Sequence, residues 1–470
     1  MSRARHSATI TLLSVMLTFS FLVPASAAEA ASARTTGSTT AASTTATTTT
    51  ASTAASALAA DRRGDKGKNK KRYRVRPGVT FNSALGTVAK RRAIISKINS
   101  AIAHTGKGQR IRIFSWKIWT RAGVTALLNA QKRGVKVQAI MDKKNTIVEN
   151  NPHFWRLRNG LKAGNKGKPR ARRSAAMLCD HSCRGKGGAA HSKFMLFSKA
   201  GKSRHVYMNS SANWGDAAAN LQWNDMYTFV GDRSIYDAAA RVFDEAWRDK
   251  PVKGPWFEHS TDGGSVVVAW APTDSKSRKR DRLLNTLRKV KCRGAARGAG
   301  NANGRTVIRS APDVIRGEPG MTVARQMRRL WNAGCDVKIG YTVMGKDVSK
   351  LLRGPGPRGP VPLRHLTQDF DGDGVFDRYF HLKAYTVNGV IGKNKKATWM
   401  SAGSSNTSGL ALVSDEAFTY FINRPGITKR YQNHINYWFD HFPQSSPTSR
   451  LTARRVASGE VDPYAKMEMD

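Results

Sequence analysis

The amino-acid sequence predicts an α/β protein made of two similar halves, each a mixed β-sheet flanked by helices. Three observations support this prediction. Apolar residues follow strand spacing and helix spacing in turn along most of the chain. The same order of elements occurs twice, and a His-x-Lys motif at His191 recurs 190 residues later at His381. With 470 residues, 40% of them hydrophobic, the chain is long enough for two domains.

Residues 1–27 have the pattern of a secretory signal peptide. The basic stretch MSRARHS precedes the apolar run ATITLLSVMLTFSFLVPA, and ASAA offers a cleavage site near Ala27. An uncleaved membrane anchor is the alternative. The sequence contains no second apolar run long enough to span a bilayer. We therefore expect a secreted, extracellular and monomeric protein.

Residues 28–77 predict a disordered linker. The segment 28–60 is nearly all Ala, Ser and Thr, and the stretch DRRGDKGKNKKRYRVR that follows has nine basic and two acidic residues. The folded part should begin near Pro77. We expect a first domain over 78–262 and a second over 263–470, with STDGGS at their junction.

Both halves show the same succession of elements. In the first half, isoleucines at helical spacing predict a helix over 94–102, followed by the strand RIRIFSW, a helix over 124–128 and the strand RGVKVQAIMD. The second half has a helix over 283–290, the strand RTVIRSA, a helix over 323–331 and the strand AGCDVKIGYTV. A final strand and helix then close each half, DMYTFVGDRSIYDAAARVFDEAW and EAFTYFINRPGITKRYQNHINYWF.

The charge of the chain favours anionic partners. Lys and Arg number 79 against 32 Asp and Glu, a formal net charge of +47. A phospholipid membrane surface, another anionic substrate or nucleic acid would suit this surface, and solubility outside the cell is the plainer alternative. The insertion over 154–177 has eight basic and no acidic residues, which predicts a mobile loop suited to phosphate-bearing material, with a merely solvated basic loop as the alternative.

Four cysteines in an exported protein predict two disulfides. We favour Cys179–Cys183, a short loop ahead of His191, and Cys292–Cys335, which joins a helix end to the start of a strand. The sequence CDHSC, with His181, is alternatively a fragment of a zinc site, although no second half of such a site is evident.

The two His-x-Lys motifs predict paired chemistry on an anion. Residues two apart in a strand face the same way, so His191 and Lys193 project together, as do His381 and Lys383. The neighbouring ammonium disfavours a protonated imidazole, which predicts neutral, nucleophilic histidines. Each lysine is a point charge suited to a phosphate oxygen.

A Ser/Asn cluster and an acid follow each motif at similar distances. Asn213 lies 22 residues after the first histidine and Asn406 lies 25 residues after the second. Their amides, with the hydroxyls of Ser211 and Ser404, can donate hydrogen bonds to the same anion. Alignment of DMYTFV with EAFTYF sets one carboxylate in each half, Asp225 and Glu416, to hold an imidazole by its second ring nitrogen.

These residues resemble the phospholipase D superfamily signature, His-x-Lys-x4-Asp-x6-Gly-Ser-x-Asn, in its two-copy form over roughly residues 78–445. The matches lie in HSK and NSSAN of the first copy and in HLK and GSSN of the second. Two departures concern the Asp of the motif, which is Ser198 in the first copy and Asn388 in the second. The Gly of the motif is Ser210 in the first copy.

The resemblance implies one site between the halves, related by a pseudo-twofold axis. His191 would attack phosphorus to form a phosphohistidine, and His381 would protonate the leaving alcohol and then activate water or a second alcohol. The reverse assignment of the two histidines stays open. Both lysines and both asparagines would stabilise the five-coordinate phosphorus, so no metal cofactor is required.

Two further features have alternative explanations. The stretch DFDGDGVFD, from Asp369 to Asp377, resembles the start of a calcium loop, but position twelve is Phe380, which excludes a complete EF-hand. A shorter calcium turn and an acidic surface turn are the alternatives. The tryptophans near the motifs, Trp214 among them, would contact substrate or belong to the core.

The sequence therefore supports three functions. The first is a secreted phospholipase D-type hydrolase that converts glycerophospholipids to phosphatidic acid and free head group, with head-group transfer as a further activity. The second is a secreted nuclease with the same chemistry. The third is a degenerate anion-binding module, suggested by Ser198 and Asn388.

Overall fold

Strands and helices alternate along the chain in the order that the sequence predicts. The computed structural model describes residues 73–148, 150–274 and 281–468, so the predicted signal peptide and the linker up to residue 72 lie outside the described residues. The helices are α1 Val88–Arg91, α2 Ala93–Ala103, α3 Arg121–Lys132, α4 Lys144–Ile147, α5 Pro152–Ala163, α6 Asp216–Asn220, α7 Arg233–Ala246, α8 Arg282–Lys289, α9 Gly317–Asn332, α10 Lys346–Arg353, α11 Gly409–Val413, α12 Pro425–His441 and α13 Arg450–Ala457.

The strands of the first half are β1 Gly78–Phe81, β2 Arg110–Phe114, β3 Ile118–Trp119, β4 Lys136–Asp142, β5 Ala175–Cys179, β6 Phe194–Ala200, β7 Ser203–Ser210, β8 Trp214–Gly215, β9 Gln222–Trp223 and β10 Asp225–Val230. Those of the second half are β11 Phe257–Thr261, β12 Val266–Trp270, β13 Val290–Lys291, β14 Val307–Pro312, β15 Val314–Ile315, β16 Asp336–Tyr341, β17 Val343–Met344, β18 Leu363–His365, β19 Thr367–Gln368, β20 Arg378–Phe380, β21 Lys383–Ile391, β22 Asn394–Gly403 and β23 Ala417–Ile422.

Two large mixed sheets have matching strand orders. The first runs β1-β10-β7-β6-β2-β4-β5, and the second runs β11-β12-β23-β22-β21-β14-β16-β18. In the first sheet β2, β4 and β5 are parallel, and in the second sheet β14, β16 and β18 are parallel. The hairpins β6–β7 and β21–β22 are antiparallel. The predicted class of mixed sheets flanked by helices is confirmed, whereas the pseudo-twofold axis stays a prediction.

Helices cover the sheets and exclude water from them. In the first half, Ile94, Ile98 and Leu127 of α2 and α3 pack with Met195 and Phe197 of β6. In the second half, α8 and α9 contribute to a corresponding cluster over β14 and β21. A third cluster contains side chains of both sheets and of α7 and α12. Because both faces of β6 are buried over Phe194–Phe197, these four residues form an apolar run rather than an alternating pattern.

The structure corrects two expectations about the borders of the fold. The ordered chain begins before Pro77, because the Tyr73 ring stacks on His104 at 3.8 Å and the Val75 amide donates to Ser203 Oγ at 2.9 Å. The insertion over 154–177 is not a loop. It contains most of α5 and part of β5, which pairs in parallel with β4 at the edge of the first sheet.

Both favoured disulfides are present, Cys179–Cys183 and Cys292–Cys335. The alternative of a zinc fragment at CDHSC is therefore wrong, since the disulfide uses both thiols. Two disulfides are compatible with an extracellular protein. None of the described helices is long and apolar enough to cross a bilayer. The strand β11 joins the second sheet although it precedes residue 263, and the domain boundaries stay predictions.

Candidate active site

The two His-x-Lys motifs lie at the starts of two equivalent central strands. His191 and Lys193 immediately precede β6, and His381 lies two residues before the start of β21 at Lys383. All four side chains are buried. The strands β7 and β22, antiparallel to these two, end at the Ser/Asn clusters. The hairpin of β6 and β7 therefore brings Asn213 close to His191 and Lys193, although Asn213 is distant from both in sequence.

One carboxylate brings the two motifs together. Glu468 Oε1 lies 2.6 Å from His191 Nε2 and 2.9 Å from Lys193 Nζ. Its second oxygen, Oε2, accepts a hydrogen bond from Asn213 Nδ2 and lies 3.2 Å from His381 Nε2, in ion-pair range but without hydrogen-bond alignment. Two imidazoles from separate halves thus flank a single anionic group. The catalytic roles of these residues stay predictions.

Each histidine is held through Nδ1 by the opposite half of the chain. His191 Nδ1 lies 2.8 Å from Glu416 Oε1, so a carboxylate holds this imidazole. His381 Nδ1 lies 2.8 Å from Asn224 Oδ1, so a neutral amide holds the other. Such a partner fixes the ring orientation and leaves Nε2 directed at the anion. The two halves therefore differ in the charge behind their histidines.

The expectation that Asp225 holds an imidazole is wrong, because the alignment of the two final strands was shifted by one residue. Asp225 and Ala417 are the equivalent residues, since their amides donate to Ser211 Oγ and Ser404 Oγ at 3.0 and 2.9 Å. A shift by one residue turns a side chain to the other face of a strand. Asp225 accordingly points away from the site and accepts a hydrogen bond from Tyr431 at 2.5 Å.

Ser211 and Ser404, predicted to bind substrate, instead hold the residues behind the histidines. Ser211 Oγ donates to Asn224 Oδ1 at 3.0 Å, and Ser404 Oγ donates to Glu416 Oε2 at 2.5 Å. Both serines are fully buried. The prediction that they contact the anion is therefore wrong, and their role is to position the groups that orient each imidazole.

Trp214, also predicted to contact substrate, belongs to the core of the first half. Its side chain is fully buried among α3 and β6 residues. A Cβ at Gly123 would lie 2.4 Å from the Trp214 ring, so this position of α3 requires glycine. Trp116 is the tryptophan at the site, with its ring 5.9 Å from that of His191 and 5.8 Å from Lys193 Nζ.

The protonation of the two histidines differs from the expected neutral pair. Burial and Lys193 lower the pKa of His191, but Glu416 and Glu468 outweigh them and raise it to about 9. His191 is therefore protonated at neutral pH while Glu468 is bound. Burial and Lys383 lower the pKa of His381 below its ordinary value, so this imidazole is neutral as predicted.

The two lysines also have different acidic partners. Lys383 Nζ is 2.8 Å from Asp313 Oδ2, and Asp313 follows the end of β14. The equivalent position at the end of β2 is Ser115, whose hydroxyl donates to the Lys117 carbonyl at 2.8 Å. Among the described residues, the carboxylate in salt-bridge contact with Lys193 is Glu468. An incoming anion that displaced Glu468 would replace this partner.

The residues at the Asp position of the family motif lie far from the site. Ser198 Oγ accepts from the Arg110 amide at 2.9 Å, and Asn388 Oδ1 accepts from the Gly300 amide at 3.3 Å. Ser198 is five residues beyond Lys193 along β6, which corresponds to roughly 16 Å. The departures at these two positions therefore leave the His, Lys and Asn groups in place.

The acidic turn from Asp369 to Asp377 is stabilised by contacts within the protein. Asp369 accepts from the Gly372 and Gly374 amides at 2.7 and 2.9 Å, and Asp377 pairs with Lys466 Nζ at 2.6 Å. Asp369, Asp371 and Asp373 offer oxygens within 4.8 Å of one another. Calcium at this turn stays a prediction.

Three residues of the site were not predicted from the sequence: Asn224, Asp313 and Glu468. Asn224 would have emerged from an alignment anchored on the serine hydroxyls of the two clusters. Asp313 is the residue directly after a buried strand, where site residues of α/β proteins often lie. Glu468 lies 85 residues beyond Lys383 with no motif around it, so no sequence signal connects it with the site.

One family model and several solved structures are similar to parts of this chain. The family model described as "Cardiolipin synthase, PLD-like domain" matches residues 94–247. No curated protein matches the chain. The polyphosphate kinase of Porphyromonas gingivalis is 14% identical with a TM-score of 0.48, over 82% of this chain and 55% of that chain.

Two further solved structures are similar to this chain, with TM-scores of 0.48 and 0.28. The phosphatidylserine synthase of Haemophilus influenzae is 12% identical with a TM-score of 0.48, over 76% of this chain and 84% of that one. Nuc, a phospholipase D family member of Salmonella typhimurium, is 15% identical with a TM-score of 0.28, over 37% of this chain and 96% of that one.

The fold is of the type found in phosphodiesterases of the phospholipase D superfamily. Residues 94–247 match the model of a phospholipase D-like domain, and the predicted resemblance to the phospholipase D superfamily is confirmed. Members of this superfamily act on phosphodiester bonds.

Proposed function

We propose that this protein hydrolyses the phosphodiester bond of glycerophospholipids to phosphatidic acid and free head group through a phosphohistidine intermediate. The observation that supports this proposal best is the convergence of His191, Lys193, Asn213 and His381 on one carboxylate. A carboxylate and a phosphodiester both present two anionic oxygens to such a set of donors. The proposal therefore sets the phosphate at the position that the Glu468 carboxylate occupies.

In the first step, His191 Nε2 attacks phosphorus and the bond from phosphorus to the head-group oxygen breaks. For this step the proton of the histidine pair must lie on His381 Nε2, which leaves His191 Nε2 free to attack. His381 passes this proton to the head-group oxygen, so the head group leaves as a neutral alcohol and His381 returns to the neutral imidazole with its proton on Nδ1. Glu416 supports the first role, because a carboxylate on Nδ1 makes Nε2 more basic and more nucleophilic. Asn224 supports the second, because an amide leaves the protonated imidazole more acidic.

In the second step, His381 takes a proton from water, and the resulting hydroxide attacks phosphorus. The bond between phosphorus and His191 Nε2 breaks, which releases phosphatidic acid and restores the free imidazole. An alcohol in place of water would give head-group transfer. Lys193 and Asn213, with Lys383 and Asn406 of the second half, would stabilise the additional negative charge on the five-coordinate phosphorus.

A largely apolar cavity beside the second motif supports a lipid substrate. It has a volume of about 280 Å³ and reaches Lys383 and Asn406. Most of its wall is apolar, with Trp256, Phe418 and Tyr420 among the lining residues. An apolar cavity next to a phosphate position suits a diester with an apolar substituent better than a diester with two sugars.

The charge distribution favours nucleic acid as a second candidate substrate. The segment 154–177 carries eight basic residues, of which Arg170, Arg172 and Arg173 are exposed. Exposed arginines of this kind bind phosphates of any sequence and give strongly salt-dependent affinity. The same two-histidine chemistry on DNA would make the protein a nuclease.

The test incubates the purified protein, with EDTA present, separately with phosphatidylcholine vesicles and with plasmid DNA. The Glu468→Ala variant is tested beside the wild type so that the bound carboxylate does not mask activity. Choline release without DNA nicking supports the lipid function, and nicking alone supports the nuclease. His191→Asn and His381→Asn in the same background should each abolish turnover. Turnover that survives in either variant would contradict the paired mechanism.

A further inference from the structure

The segment 443–468, here called the distal segment, lies along the second half and ends in the site. The amide of Ser446 donates to the Asp369 carbonyl at 2.8 Å, and the amide of Phe376 donates to the Pro463 carbonyl at 2.8 Å. The Tyr464 ring lies 5.3 Å from that of Phe376. These contacts lead the segment past the acidic turn and towards His381.

Two charged side chains fix the end of the distal segment. Lys466 Nζ pairs with Asp377 at 2.6 Å and with Asp373 at 3.4 Å. Two residues later, the Glu468 amide donates to the Tyr379 hydroxyl at 3.1 Å and the Glu468 side chain enters the site. Its side chain is only 3% exposed, which is unusual for a carboxylate unless it is fully paired.

Glu468 satisfies the cations of the site as a bound anion would. Burial alone would raise the pKa of Glu468, but Lys193 and His381 hold it well below its ordinary value. The carboxylate is therefore ionised at neutral pH, and it contacts the same donors that the family chemistry directs at phosphate. A diester cannot bind there at the same time.

The distal segment has little other burial to keep it in place. Helix α13 has no buried residue, and its Leu451 side chain is 69% exposed. Segments with few buried apolar contacts open at low free-energy cost while the rest of the fold stays intact. The ionic contacts of Glu468 and Lys466 therefore provide much of what holds the segment closed.

We propose that the distal segment is an intramolecular inhibitor whose Glu468 carboxylate occupies the phosphate position of the site. Opening of the segment frees Lys193, Asn213 and both imidazole Nε2 atoms, and removes one of the two carboxylates that keep His191 protonated. A phosphate-bearing ligand displaces the segment by competition for the same donors. The inference rests on the proposed function for the identity of the site, but its test needs no turnover.

The test measures the affinity of inorganic phosphate by isothermal titration calorimetry in the full chain. The apparent affinity of a ligand falls by the fraction of molecules in the open state, so a segment closed nine-tenths of the time weakens phosphate binding about tenfold. Glu468→Ala should therefore bind phosphate at least about tenfold more tightly than the wild type. Glu460→Ala is the matched control, since Glu460 lies on the same segment and pairs only with Arg455 among the described residues. It should bind like the wild type.

A second variant and a second measurement test the displacement itself. Lys466→Ala leaves Glu468 unchanged but removes the contact with Asp377, and should give a smaller gain in phosphate affinity. In hydrogen exchange monitored by mass spectrometry, phosphate should accelerate exchange over 450–468 in the wild type, whereas Glu468→Ala should exchange rapidly without phosphate.

Equal phosphate affinity in the wild type and Glu468→Ala, or unchanged exchange on phosphate addition, would overturn the inhibitor. Either result would overturn the inhibitor even if the protein cleaves diesters. Conversely, tighter phosphate binding by Glu468→Ala would support the inhibitor even if neither lipid nor DNA is cleaved, so the two proposals fail separately.

Discussion

Replacement of Glu416 by glutamine should lower the pKa of His191 and slow turnover. Glu416 Oε1 lies 2.8 Å from His191 Nδ1, and both side chains are fully buried. An opposite charge at this range raises the pKa of an imidazole by about 1–3 pH units. Glutamine preserves the shape and can still accept the hydrogen bond, so Glu416→Gln removes the charge alone. The pKa of His191 is raised to about 9 with Glu416 and Glu468 both present, and Glu416→Gln should lower it by that amount relative to a matched background that keeps Glu416.

The measurement is the pH titration of the His191 Cε1 proton by NMR, assigned with His191→Asn. Glu468→Ala is the background of choice, because it removes the second carboxylate that contacts this imidazole. In the same background we expect kcat for the preferred diester to fall by roughly 10²–10⁴-fold, since the attacking nitrogen loses basicity. The matched control is Asp225→Asn, which removes a buried carboxylate that contacts Tyr431 instead.

Two results would refute this reasoning. If Glu416→Gln left the pKa of His191 unchanged, the carboxylate would not be the cause of its raised value. If Asp225→Asn shifted the titration of His381, the assignment of Asn224 as its partner would be wrong. A general loss of folding would appear as a fall in the midpoint of thermal unfolding, and is thereby separated from either result.

Three further predictions follow from the site and the core. Asn224→Asp should raise the pKa of His381 by about 1–3 pH units, because it sets a carboxylate on Nδ1, and NMR titration would show no change if the contact is absent. Trp214→Ala should lower the free energy of unfolding in urea by about 3–5 kcal/mol, against less than about 0.5 kcal/mol for the exposed Leu451→Ala. Protonated His191 contributes roughly 3 kcal/mol below pH 6.5, and this stabilisation is lost as pH rises through about 9, so wild-type stability should fall over this range while His191→Asn stays flatter.

Much of the fold could be predicted because apolar spacing reflects local geometry. Helix α2 has its isoleucines on one buried face, and β6 is apolar on both faces because helices cover the sheet on both sides. The insertion was harder to predict, since glycines and basic residues over 154–177 obscure the pattern of helix α5. Its Phe154, Leu157 and Leu161 nevertheless lie on one buried face. The segment 154–177 was predicted as a loop from its basic composition, although the helical spacing of its apolar residues indicates a helix.

The site residues that belong to the repeated motifs could be predicted from the sequence, and the residues outside these motifs could not. His191, Lys193, His381 and Lys383 follow from the repeated spacing, and the structure brings the paired imidazoles to one anion. The prediction of the residue that holds His381 depended on the strand register. An error of one residue in the register turns a side chain to the opposite face of the strand. Asn224 and Asp225 are adjacent in sequence and point to opposite sides, so residue type favoured the carboxylate while geometry selects the amide.

The two motifs have the same sequence pattern, but their histidines and lysines have different partners, so the site is asymmetric. Glu416 and Asp313 are both carboxylates of the second half. Glu416 contacts Nδ1 of the histidine of the first motif, whereas Asp313 contacts the lysine of the second motif at 2.8 Å and lies 3.6 Å from His381 Nε2. The first motif thus combines a carboxylate-supported imidazole with a lysine that pairs with Glu468, a removable anion. The second motif has an amide-supported imidazole and a lysine paired with a fixed acid. An anion that replaces Glu468 would therefore gain most from Lys193, on the side where His191 attacks. This asymmetry favours His191 as the nucleophile, and an isolated phosphoenzyme labelled at His381 instead would contradict it.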